Sequence, residues 1–84
     1  MNWKKTKYTN PTWDNIKVGD KLSKIWKYST YKLEKEDFHI IVDINKNEST
    51  FKTDVYENDN FEEIDYHYIG WVMKELDDTW KFIR

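Results

Sequence analysis

An 84-residue chain of 10.4 kDa forms one small core, and its 38% hydrophobic and 36% charged residues would suit a disordered protein were it not for five Trp, six Tyr and four Phe. Those aromatics, each able to bury roughly 150–250 Å², are an inventory that disordered chains lack. The absence of Cys excludes a disulfide scaffold and a thiolate zinc module, and no apolar run reaches the 18–20 or so residues of a membrane helix. With no apolar block at the N-terminus either, the composition predicts a soluble cytoplasmic domain over 1–84.

In chain order, residues 1–9 carry Lys4, Lys5 and Lys7 between Trp3 and Tyr8 and read as an arm or an edge strand. Asn10-Pro11 then predicts one short helical turn over 11–16, with Asn10 as cap and Pro11 at the first helical position. After Gly19-Asp20, Leu22, Trp26 and Tyr28 alternate with polar residues as a strand does, with Lys24 breaking the pattern. Phe38, Ile40, Val42 and Ile44 share one face at period two, and Phe51, Thr53 and Val55 share the next. The Asn-rich stretch between them predicts a hairpin in which Ile44 faces Phe51, Val42 faces Thr53 and Ile40 faces Val55. That register also sets Asp43 against Lys52 on the other face. Asn58–Asp65, with Phe61 and Ile64 three apart, reads as a helical turn or a loop. Ile69, Trp71 and Met73 form a further strand face, and Asp77-Asp78 predicts a turn that returns Trp80 and Phe82 against it, with Met73 facing Phe82. The interior aromatics expected are Trp13, Trp26, Tyr28, Phe38, Phe51, Tyr68, Trp71, Trp80 and Phe82.

Five short strands without a long helix predict a mainly β fold, a five-stranded antiparallel meander closing into a small SH3-like or OB-like barrel. An α+β arrangement, an antiparallel sheet with one packed helix, is the alternative.

Charge divides unevenly along the chain. Residues 1–36 hold nine Lys against four acids, whereas residues 37–84 hold four Lys and one Arg against twelve acids. The densest acidic stretch is Asp54, Glu57, Asp59, Glu62, Glu63 and Asp65, with no Lys or Arg from 53 to 73. Gathered on one surface, six such charges raise a local field of several kT.

Catalytic chemistry finds little purchase. There is no Cys, the three Ser lack a nucleophile-elbow pattern, and two Gly fifty residues apart build no phosphate-cradling loop. Glu63, Asp65 and His67 would share a face on a strand, but without a second nearby His they do not predict a metal site. Carboxylate pairs of the glycosidase kind need a deeper cleft than a chain this small supplies. The expectation is therefore a non-enzyme with neither cofactor nor metal.

Two binding chemistries remain. Lys21, Lys24 and Lys27 interleave with Trp26 and Tyr31, the mixture of cations and stacking platforms used by single-strand nucleic-acid binders or small-ligand barrels. An acidic balance (pI ≈ 5.6) and a single Arg weigh against that. The favoured expectation places a partner-binding face on Asp54, Tyr56, Glu57, Asp59, Phe61, Glu62, Glu63, Asp65 and Tyr66, acids bordered by aromatics that suit a protein with a basic surface. An Ala-free, Lys- and Asn-rich composition suggests an AT-rich coding source. Size and charge then offer an analogy with phage and mobile-element inhibitors of host defence nucleases, such as anti-CRISPR proteins.

Overall fold

The computed structural model describes residues 10–28 and 33–83, so the expectations for the 1–9 arm and for Tyr31 lie outside the described residues, as do the side chains of Tyr28 and Leu33. Five strands form one antiparallel sheet: β1 (Lys21–Tyr28), β2 (Leu33–Asn45), β3 (Thr50–Tyr56), β4 (Trp71–Met73) and β5 (Trp80–Phe82), in the order β4-β3-β2-β1-β5. The mainly β expectation holds. No helix of the described residues is long and apolar enough to cross a membrane.

The sheet curls until distant strands meet on its inner face. Trp80 of β5 sets its ring edge-on to Phe51 of β3 at 5.4 Å, and Trp13 meets Phe51 at 5.7 Å. Leu22, Ile41, Phe51, Met73, Trp80 and Phe82 form the core with Ile16. Strands β4 and β5 lie at opposite ends of the strand order and are not hydrogen-bonded to each other.

The central hairpin keeps half of its expected register. Ile44 faces Phe51 and Asp43 faces Lys52, but Ile41 faces Thr53 and His39 faces Val55. A β-bulge at Val42 accounts for the difference: one extra residue on β2 reverses the inward parity before it. His39 and Ile41 are consequently fully buried, while Val42 is 40% exposed and Phe38 and Ile40 sit on the outer side, half-buried. Three consecutive apolar residues, Ile40-Ile41-Val42, leave period two without a unique phase, which is why the alternation misassigns them.

The C-terminal expectation is also corrected. Met73 pairs with Phe51 and Phe82 pairs with Leu22, so the Met73–Phe82 hairpin does not form. Apolar alternation identified both strands but carries no information about which neighbour each one joins. Near the start, Ile16 N donates to Thr12 O at 3.2 Å, so the turn begins at Thr12 rather than at an Asn10 cap. Among the expected interior aromatics, Phe51, Trp80 and Phe82 are buried, Trp13, Trp26, Phe38 and Trp71 are half-buried, and Tyr68 is exposed.

Candidate functional site

The acidic stretch is a tethered loop between β3 and β4. Its neck is closed by Glu57 N donating to Glu63 O at 2.9 Å, by Asp65 N donating to Val55 O at 2.8 Å and by a bridge between Tyr56 and Ile64. Asn58 turns the chain: its carbonyl accepts from Phe61 N at 3.1 Å and its side chain from Asn60 N at 3.0 Å. Phe61 itself takes a left-handed φ of 57°. Such a conformation is unfavourable for a bulky residue and needs support from packing. The support is aromatic. The Phe61 ring lies 5.4 Å from Tyr56 and 6.3 Å from Phe38, with the Lys21 ammonium 5.0 Å above it.

Two of the acids serve the backbone. Asp54 accepts from Gly70 N at 2.9 Å, and Asp65 accepts from His67 N at 3.0 Å, capping a 3-10 turn over Tyr66–Tyr68. With no strand there, Glu63, Asp65 and His67 do not form a shared face, and among the described residues no three His, Asp or Glu gather as a metal site. The remaining acids, Glu57, Asp59, Glu62 and Glu63, are exposed. Among the described residues the ion pairs are Lys24–Asp77 and Lys35–Asp37, neither of which involves an acid from 54 to 65.

Sequence reasoning missed Glu36. On β2 it lines one groove with Asp37, Tyr56, Glu57 and Asp65, carrying the acids across two strands, with Lys35 as the one cation of that lining. Sequence reasoning placed Tyr66 on the binding face but missed that Tyr68 and Ile69 join it in an exposed strip. Tyr66 is 80% exposed, Tyr68 38% and Ile69 54%, directly after Asp65. No local pattern signals that exposure, because an aromatic next to a strand reads equally well as core.

The Lys and aromatic residues of β1 divide between the two faces of the sheet. Lys24 and Trp26 point to the inner face, where the Lys24 ammonium donates to Thr79 Oγ1, sits 3.7 Å from Asp77 and lies over Trp26 and Trp80 at 4.8 and 5.4 Å. Lys24 is only 8% exposed. Trp26 stacks on Trp71 at 5.9 Å and donates Nε1 to Asp37 at 2.7 Å. Lys21 and Lys27, by contrast, are exposed at odd positions on the outer face. Between β4 and the β1/β5 pair lies a cavity of about 230 Å³, walled by Trp26, Trp71, Met73 and Trp80. Trp26 and Trp71 stack on each other there, Trp80 meets Phe51 and His39 edge to face, and Lys24 and Lys74 share the lining.

His39 lies at the centre of the inner face. Nδ1 is 2.8 Å from Thr53 Oγ1 and the ring meets Trp80 at 4.8 Å. Burial lowers its pKa to about 4, and the Lys24 ammonium pushes in the same direction. A neutral, fully enclosed imidazole takes no proton from a ligand in solvent. Asp77, held by the Thr79 hydroxyl and backbone N–H, is shifted below the ordinary carboxylate value. Both groups serve the fold.

No family model, curated protein or solved structure matches the chain.

Proposed function

We propose that this protein is a non-enzymatic binding module that occupies a basic surface of a protein partner through the 54–66 loop. The observation that carries the reading is a set of exposed carboxylates, Glu57, Asp59, Glu62 and Glu63, that form no ion pair with another described residue, on a loop anchored at its neck. An anchored loop presents its charges without a large ordering cost on binding. Fixed acids of one sign also steer a cationic partner toward the face and raise the association rate. Proteins that bind nucleic acid carry basic patches of this kind, so a nuclease or similar protein suits this face. The small size and the charge are consistent with an inhibitor, in the manner of phage proteins that block host defence nucleases. Phe61 acts as a loop support in this reading, and Tyr66 as a contact residue.

Association kinetics against a set of purified nucleic-acid-binding proteins with basic grooves test the proposal. The expected result is binding that duplex DNA displaces and that salt slows. Glu62→Lys with Glu63→Lys should lower the association rate by about tenfold and leave the dissociation rate nearly unchanged. Binding that ignores salt and charge reversal would overturn it. So would tight binding to single-stranded oligonucleotides that is lost in Lys21→Glu with Lys27→Glu.

A further inference from the structure

We infer that the apolar strip Tyr66–Ile69 is the anchoring centre of the acidic face, and that its occupant is a basic protein segment carrying apolar side chains between its Lys or Arg residues. The inference rests on the acidic-face reading above and adds where the contact energy resides.

Among the described residues six large hydrophobics are exposed, and Tyr66, Tyr68 and Ile69 are three of them within four positions, with the exposed His67 between the two tyrosines. Single exposed hydrophobics are ordinary, whereas a run of them marks an interaction surface. The backbone under this run is fixed. The Asp65 side chain accepts from His67 N, Tyr68 N donates to Asp65 O at 3.0 Å, and Gly70 N donates to Asp54. The Tyr68 ring leans on Trp71 at 4.4 Å, which ties the strip to the inner cluster through the Trp71–Trp26 stack. Two tyrosines stand on a braced turn, a residue type enriched at the energetic centre of interfaces, and Ile69 adds apolar area beside them.

Charge selects the occupant. Asp65 adjoins the strip, Asp54 lies beneath its far end, and no Lys or Arg occurs between 53 and 73. A second copy meeting strip to strip would bring two acidic loops together, and like charges across an interface oppose association. An acidic partner is disfavoured for the same reason. A basic segment with apolar side chains satisfies both features: its cations meet the carboxylates at the rim while its apolar groups cover Tyr66 and Ile69.

Short synthetic peptides separate the two contributions without an identified partner. Fluorescence titration at low ionic strength compares alternating Lys/Leu, Lys/Ser and Glu/Leu peptides on the full chain. The Lys/Leu peptide should bind about tenfold more tightly than Lys/Ser, and Tyr66→Ser with Ile69→Ser should remove that difference while the melting temperature stays unchanged. Equal affinity for Lys/Leu and Lys/Ser would overturn the anchoring role and leave the acidic-face reading standing. Binding of Glu/Leu as tight as Lys/Leu, or no binding of either Lys peptide, would overturn both. Concentration-dependent dimerisation abolished by the same two substitutions would assign the strip to a second copy and overturn the proposed occupant.

Discussion

A histidine enclosed on all sides by a sheet interior stays neutral at neutral pH, and this sets the acid response of the fold. His39 ordinarily titrates near 6.5, and in the folded chain it does so at about 4, through burial first and the nearby Lys24 ammonium second. On acidification the unfolded chain therefore gains its proton before the folded one. Stability from this group is complete above pH 6.5 and declines as pH falls toward 4. The interval corresponds to roughly 3 kcal/mol in all, of which about 2–3 kcal/mol should be lost between pH 7 and 4.5. Asp77 acts lower: its contribution is intact above 3.8 and is lost only as pH drops further. Urea unfolding at the two pH values checks the prediction, and His39→Gln should flatten the dependence across that window. An unchanged slope in the variant would place the acid sensitivity elsewhere. The residue was visible in the sequence only as one of two histidines, because its burial depends on a bulge three positions away.

That bulge is the feature of greatest consequence among the elements. Val42 is the residue without a cross-strand partner, since Ile41 pairs with Thr53 and Asp43 with the adjacent Lys52. A bulge bends its strand and increases the local twist. The bend lies between the positions that pair with β1 and those that pair with the far end of β3, where a curl brings Trp80 onto Phe51. Deleting Val42 should leave the hairpin register intact, because Ile41 and Asp43 would then oppose Thr53 and Lys52 without interruption. The sheet should flatten, loosening the Trp80–Phe51 contact at a cost of about 1–3 kcal/mol. Cross-strand backbone contacts retained beside red-shifted Trp emission would support this; a lost register would refute it. The hairpin was legible because a polar Asn-rich loop and the Asp43–Lys52 pair fix its turn end. The bulge was not, since an inserted apolar residue among apolar neighbours leaves no local mark. Strands β4 and β5 were legible as apolar faces, but their partners are a property of the sheet.

At the scale of the whole molecule, the two charge populations behave differently. Along β1 and β2 opposite charges alternate across the ladder, with Lys24 opposite Asp37 and Lys27 opposite Glu34. Two of the three lysines on β1 thus sit beside acids, while Lys21 faces Ile40, a partial interleaving that a linear count of charges conceals. Among the described residues the 54–65 acids form no ion pair, and the cations near them are Lys35, on the groove shared by Glu57 and Asp65, and Lys21 above Phe61. The run itself was legible in the sequence, whereas its continuation through Glu36 and the exposed strip beside it depended on how the chain folds back. Clustered like charges repel, so this face should be a net cost to the isolated fold, as surfaces kept for binding often are. Screening shortens the reach of that repulsion, from a Debye length of about 30 Å in 0.01 M salt to about 8 Å at physiological ionic strength. Relief of about 0.5 kcal/mol is the scale expected of exposed charges, and in a domain this small it corresponds to a melting temperature higher by about 2–4 °C. Glu62→Lys with Glu63→Lys should melt higher than the parent in low salt and gain less from added salt, since the repulsion is already removed. A parent chain whose melting temperature falls on adding salt would mean that attractive pairs outweigh repulsion across the surface. The 54–65 acids would then be neutralised by their cationic neighbours, and a charge-steered docking face would lose its physical basis.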